Sequence, residues 1–209
     1  FLVHDSWISS RKNGEELLVA INENDDFESR DLFIINKDGE IISQVTDDEF
    51  NNTDAHFSPN GEQIVFRSNR DVVDELYIVN DDGSDLKQLT HYPSTDSTAQ
   101  DWEYHAGPPM WNNQNLISYI SKQNNNYSIF TIAPDGTGLT QITPDTTREG
   151  FPSNEGWHSW AHEDSLIAYN ATDWLGNYDI YIMNPDGSNI RKLTDDLKYE
   201  QAPLFVYPK

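Results

Sequence analysis

Six histidines and a surplus of carboxylates carry most of the chemical reach of this 209-residue chain. His4, His56 and His158 lie on or beside segments that read as opening strands. With Asp54, Glu155 or Glu200, such imidazoles could hold a divalent cation, because neutral imidazole and carboxylate are ordinary ligands of zinc and other first-row metals. His56 and His158 are the pair on which a metal reading rests. Against it, no helix preorganises two histidines at i and i+4, and His158 and His162 share that spacing only from strand to turn. Hydrogen-bonded or solvated imidazole is the expected state, and no cofactor is expected. Asn80–Asp85, "NDDGSD", has the oxygens of a calcium loop but lacks their regular spacing and a closing Glu, so turn chemistry accounts for it. Nucleophilic catalysis has little to stand on: there is no G-x-S-x-G elbow, no glycine-rich phosphate loop and no cysteine. Carboxylate pairs abound because the chain is acidic, so no pair marks glycosidase chemistry.

A second group joins aromatic rings to acids. Trp102, Tyr104 and His105 fall in one long connection, Glu155, Trp157 and His158 in or beside the next, and Trp174 in a third loop. Tyr92, Phe151, Asp96, Asp101, Glu103 and Glu149 accompany them. Rings interleaved with carboxylates can stack on sugars or receive a peptide bearing Arg or Lys. The competing reading is that each ring clamps its own loop onto the sheet beneath. A protein or glycan ligand at this loop face is the expected partner.

Lys and Arg number 13 against 36 Asp and Glu, a formal charge of −23. Such a chain repels phosphate backbones and anionic headgroups, which excludes nucleic acid and membrane surfaces as natural partners. Aromatic residues at 12% supply material for a packed core. No apolar run approaches the roughly 20 residues that span a bilayer. The opening "FLVHDSW" is not an initiator leader, and trimming is the expectation drawn from it.

The elements that must position these residues repeat. Thr46, Thr90, Thr143 and Thr194 are spaced 44, 53 and 51 residues apart, and Gly39, Gly83, Gly136 and Gly187 keep the same spacings. Two markers drifting together identify one unit with insertions confined to part of it. Each unit reads as four short strands. The first carries an aromatic (Trp7, Phe57, Trp111, Trp160), and the second is an apolar run such as Leu17–Ile21. The third alternates, as in Ile180-Tyr181-Ile182-Met183, and the fourth ends in an apolar residue and Thr. Asp-Gly pairs join the third strand to the fourth, where tight hairpins demand positive φ. The spacing predicts no helix, and the class is all-β.

Four-stranded antiparallel units of this length are the signature of β-propeller blades. The pattern P-x-W-S-P-D-G … I-x-F … D-I-Y-x-M-N-x-D-G-S-x-x-x-x-L-T resembles the TolB-type propeller repeat: residues 54–90 and 156–194 match it closely, 109–143 well and 5–46 loosely. The expected architecture is a single propeller segment with blades at 5–46, 47–90, 91–143 and 144–194. Residues 195–209 supply the first strand of a further blade, with Phe205 in the aromatic place. Four blades and a partial fifth imply part of a larger ring, or closure by another chain through self-association.

The TolB resemblance implies a non-catalytic, periplasmic or secreted scaffold that binds protein through its loop face and channel mouth, as TolB binds a peptidoglycan-associated lipoprotein. Related propellers imply two alternatives, a carbohydrate-binding or metal-dependent polysaccharide-lyase propeller and the propeller domain of a larger peptidase. The residues expected to meet a ligand are Trp102, Tyr104, His105, Glu155, Trp157, His158 and Trp174.

Overall fold

The computed structural model describes residues 8–22, 29–71, 73–92, 106–123, 126–144, 155–173, 176–196 and 198–206. They form four antiparallel sheets of four strands each, and every sheet keeps its strands in sequence order. The first sheet holds β1 (Ser9–Arg11), β2 (Glu16–Ile21), β3 (Asp31–Asn36) and β4 (Ile41–Gln44). The second holds β5 (Asn52–Phe57), β6 (Gln63–Asp71), β7 (Val73–Asn80) and β8 (Lys87–Gln88). The third holds β9 (Met110–Trp111), β10 (Ile117–Gln123), β11 (Asn126–Ile132) and β12 (Thr140–Gln141). The fourth holds β13 (Glu155–Trp160), β14 (Ile167–Thr172), β15 (Tyr178–Met183) and β16 (Arg191–Lys192). One short 3-10 turn, Lys12–Gly14, is the sole helical element among the described residues.

Successive side chains of a strand point to opposite faces, and here both faces are apolar. Leu18, Leu32, Ile34 and Val45 of the first sheet meet Phe57, Ile64, Phe66, Tyr77 and Val79 of the second. The other face of the second sheet, with Val65, Leu76, Ile78 and Leu89, meets Trp111, Ile117, Tyr119 and Phe130 of the third. Ile120, Ile129 and Ile142 then meet Ile167, Tyr169 and Met183 of the fourth, with Trp160 and Tyr181 half-buried against them. The core is therefore a series of inter-sheet layers, and an inner sheet is hidden only by having a neighbour on each side.

The two sequence markers have structural causes. The threonine at the end of each fourth strand accepts, through Oγ1, the backbone N–H of Leu32, Leu76, Ile129 and Ile180 at 2.9, 2.8, 2.8 and 2.9 Å. The same hydroxyl donates to a carboxylate in three units: Asp31 at 2.7 Å, Glu75, and Glu200 at 2.7 Å. The hairpin glycines have φ of +85°, +84°, +85° and +80°. Two of them also lie against the preceding sheet: a Cβ on Gly83 would sit 2.7 Å from the Val45 carbonyl oxygen, and one on Gly187 would overlap that of Ile142. Glycine is needed there for the turn and for close approach between sheets.

The register departs from the sequence reading at one place. Phe57, Trp111 and Trp160 pair with Ile64, Ile117 and Ile167, but the residue paired with the corresponding Leu17 is Ser10. An exposed serine thus stands where the other three sheets hold an aromatic, on the face that carries the buried Val19, Ile21 and Phe33. Trp7 lies outside the described residues.

Residues 198–206 run on from the fourth sheet in the manner of a further first strand. The Glu200 N–H donates to the Tyr178 carbonyl at 3.0 Å, as Asn52 donates to Arg30 at 3.0 Å and Ala106 to Asp74 at 3.1 Å. The fifth residue beyond each of these donors is aromatic: Phe57, Trp111 and Phe205. Asp54 and Ala202 hold the same place between them, and both have left-handed φ, +52° and +50°.

Two stability measurements test this account. Trp111 is buried between sheets, so Trp111→Ala should cost about 3–5 kcal/mol in denaturant unfolding, the usual cost of deleting a buried large aromatic. Gly39→Ala and Gly187→Ala both force a left-handed alanine, worth roughly 1–2 kcal/mol. Gly39 has open space around it, so Gly187→Ala should be the more destabilising of the two. Equal losses would remove the inter-sheet contact from the argument.

Candidate functional site

The opening strands of all four sheets and residue 204 converge on one cavity of about 350 Å³. Ile8 and Ser9 come from the first sheet, Asp54, Ala55 and His56 from the second, Pro108, Pro109 and Met110 from the third, Trp157 and His158 from the fourth, and Leu204 from the segment beyond it. Most of the wall is aliphatic or aromatic, with Asp54 and the two histidines as its ionisable groups. His56 and His158 are not at equivalent register positions. A register shift in each strand, between Thr53 and His56 and between Glu155 and His158, accompanies their arrival at one cavity.

The electrostatics keep this wall neutral or acidic. Burial is the main force lowering the pKa of His158, to about 4, and the nearby His56 adds to it. The His158 ring nitrogen Nε2 lies 2.7 Å from Ser118 Oγ, which also accepts the Trp160 indole N–H at 2.7 Å. Having accepted the Trp160 N–H, Ser118 Oγ retains one proton and one lone pair, so it can donate to a bare Nε2 or accept from a protonated one. A serine–histidine contact of this length has the look of an activated nucleophile, but Ser118 is fully buried and no substrate reaches it. His56 is likewise lowered by burial. Its Nδ1 is 2.9 Å from the Phe57 carbonyl and 3.4 Å from the Trp111 nitrogen, and the shorter contact makes Nδ1 the donor and Nε2 an acceptor. Asp54 is buried at left-handed φ, and burial raises its pKa although the Arg67 guanidinium lies 2.9 Å away.

The residues singled out from sequence are distributed as follows. Trp157 lines the cavity and His158 closes it from within the sheet interface. Glu155 belongs to β13 and is buried, so it is part of a strand instead of an exposed loop. Tyr92 packs on the core between the second and third sheets and shares a 2.7 Å hydrogen bond with the Tyr119 hydroxyl, clamping its own connection. Trp102, Tyr104, His105, Phe151 and Trp174 lie outside the described residues, as do Asp96, Asp101, Glu103, Glu149 and His4. His56 and His158 share the cavity, and no cluster of three or more His, Asp or Glu able to hold a metal ion occurs among the described residues. Met110, Pro108, Pro109, Ile8 and Leu204 were not legible as site residues. They hold first-strand positions in their own units, and a register alignment of the repeats is the signal that would have found them.

The depressed His158 pKa fixes the sign of a pH effect. A histidine lowered in the folded state favours folding while neutral, so its contribution is present above the unfolded value of 6.5 and is lost as pH falls toward about 4. That interval corresponds to about 3 kcal/mol. Asp31, Asp54 and Glu75, raised mainly by burial, act with the opposite sign, so the total curve mixes the two. The difference between wild type and His158→Gln isolates the histidine. Between pH 7 and pH 4 the wild type should lose more stability than the variant, as read by denaturant unfolding at each pH. Parallel curves would assign His158 an ordinary pKa.

No protein-family model matches the chain, and no curated protein matches its sequence. Solved structures do match. A TolB-assigned protein from Agrobacterium tumefaciens superposes with a TM-score of 0.64 at 14% identity, over 86% of this chain and 61% of its own. TolB from Acinetobacter baumannii gives 0.62 at 16% identity, over 86% of this chain and 40% of its own. A puromycin hydrolase gives 0.62 at 13%, over 88% and 28%, and the nidogen chain of a nidogen/laminin complex 0.65 at 13%, over 93% and 66%. The chain thus spans less than two thirds of the length of the TolB structures it matches. At these identities the likeness concerns the fold, and with four sheets of the right topology facing a common cavity it is decisive: the fold is that of a TolB-like β-propeller.

Proposed function

We propose that this chain is a non-catalytic propeller scaffold that binds a protein partner at the mouth of its axial cavity and the adjoining loop face. One observation carries the reading. The opening strands of every sheet meet at a cavity of about 350 Å³ whose wall joins Trp157, Met110 and two prolines to the neutral histidines and Asp54. Sites of this kind, mostly apolar with a few placed polar groups, accept an anchoring side chain. The fitting anchor is an apolar or aromatic side chain whose N–H or O–H donor meets His56 Nε2 or the Asp54 carboxylate. The net charge of −23 favours a partner with basic residues around that anchor. The nidogen neighbour, solved as a complex with laminin, is a propeller with a protein partner and supports the same use of the fold. The TolB likeness supports, as part of the same proposal, a location in the periplasm or outside the cell. No helix among the described residues is long and apolar enough to cross a membrane.

A second reading draws on the puromycin hydrolase, of which this chain spans 28%: a propeller unit of a larger hydrolase. The intact mass of the native protein separates the two.

Peptides selected from a displayed random library on the folded protein test the first reading. Binders should carry a bulky apolar or aromatic residue flanked by Lys or Arg. Trp157→Ala should weaken them at least about tenfold, equivalent to 1.4 kcal/mol, with the melting temperature within a few degrees of wild type. Binders indifferent to Trp157→Ala, or a glycan array that yields ligands lost on chelation, would overturn it.

A further inference from the structure

Three residues before the inter-sheet aromatic of an opening strand lies a place that faces the cavity: Asp54 before Phe57, Pro108 before Trp111 and Trp157 before Trp160. The matching place before Phe205 is Ala202, which keeps the left-handed φ of Asp54 without a polar side chain. The backbone there does not require a carboxylate, so Asp54 needs another account. It is buried in a mostly apolar wall, and both of its described side-chain contacts fall on one oxygen. Oδ2 meets Arg67 Nη2 at 2.9 Å and the Thr53 hydroxyl at 3.5 Å. Arg67 is itself shared with Asp74 at 3.5 Å. Oδ1 has no hydrogen-bond partner among the described residues, yet it is not one of the atoms sealed from solvent, so it opens on the cavity that Asp54 lines.

Resting on the cavity reading above, we propose that the group this site takes is a primary ammonium carried next to an apolar or aromatic group. An ammonium is a compact head with three donors and no acceptor. Asp54 Oδ1 offers it an opposite charge, and His56 Nε2, two residues along the same strand, offers a neutral acceptor. The indole of Trp157, at the register place of Asp54, adds an aromatic surface that attracts cations. Met110 and the two prolines leave an apolar wall for the rest of the ligand. None of the described lining residues is Lys or Arg. A carboxylate or phosphate would meet Asp54 with like charge, and a neutral hydroxyl would leave its buried charge half compensated. Burial raises the Asp54 carboxyl, and a cation at Oδ1 favours its ionised form. The same chemistry is carried by a lysine side chain, by the amino terminus of a chain that begins with an apolar residue, and by a free arylalkyl amine.

Three probes separate these sources: acetyl-Gly-Lys-Gly amide, Phe-Gly-Gly amide and phenethylamine, each beside its form acetylated at the ammonium nitrogen. They are titrated into the nitrogen-15-labelled protein with a chelator present. The reporter is the Trp157 indole N–H signal, identified by its loss in Trp157→Ala. At least one ammonium form should shift that signal saturably, acetylation should weaken it at least about tenfold, and the tightest probe names the source. Asp54→Asn retains a side chain that tolerates left-handed φ and should erase the difference between the two forms. The acetylation contrast on the unaltered protein needs no variant. Equal binding of both forms, lost in Trp157→Ala, would overturn the ammonium and leave the apolar anchor of the cavity reading standing. An acetylation effect that persists in Asp54→Asn would overturn the role of the carboxylate. No saturable shift with any probe would overturn the inference as well, while the peptide selection decides the cavity reading by itself.

Discussion

A four-stranded sheet with two apolar faces cannot hide itself, and everything else in this protein follows from that constraint. The strands carry apolar residues on alternate sides, so burying one face on a neighbour leaves the other face needing a neighbour too. Stacking side by side is the arrangement that satisfies each sheet in turn. The layers Leu32–Ile34–Val45 on Phe66–Tyr77, Leu76–Ile78–Leu89 on Tyr119–Phe130, and Ile129–Ile142 on Tyr169–Met183 are three instances of one interface. At the first and fourth sheets the pattern changes: Ser10 stands at the aromatic place of one, and Leu193 is exposed on the other.

Stacking also decides where chemistry can occur. Short first strands from every sheet reach a common axis, and a cavity forms because their side chains meet across it without filling it. What lines the cavity is largely incidental to each sheet's own packing, which explains why it mixes proline, methionine, tryptophan and histidine. Burial then sets the charge state. His158 is held neutral well below physiological pH, and Asp54 is raised despite its arginine. A mainly apolar pocket with few ionisable groups inside a strongly acidic surface is the feature on which the proposed recognition of an anchored, basic segment rests.

Two groups of carboxylates recur with the repeat. Asp31 and Glu75 are buried and receive the threonine hydroxyls that seal the sheet corners, whereas Asp82, Asp135 and Asp186 cap exposed hairpins and are lowered by the Ser or Thr hydroxyl two residues on. The second kind is ordinary turn chemistry. The first is a structural element repeated with the fold, and it explains why threonine recurs at the unit boundary when many residues could end a strand.

Local patterning by itself determined the repeat, the all-β class and the order of strands, because alternation, hairpin glycines and strand-ending threonines are properties of neighbouring residues. It also placed Phe57, Trp111 and Trp160 on inter-sheet faces, since an aromatic in an opening strand has nowhere else to be buried. It did not show that Ser10 holds the aromatic's register place in the first sheet, because pairing across strands is set by the whole ladder and not by the nearest large side chain; Trp7 lies outside the described residues. Glu155 looked like a loop carboxylate and is a buried strand residue, as the connection is shorter than its composition suggests. Only tertiary structure decided that His56, Trp157, Met110 and Leu204 share a cavity: they lie far apart along the chain, and the bulges and axial convergence that unite them arise from how whole sheets pack against one another.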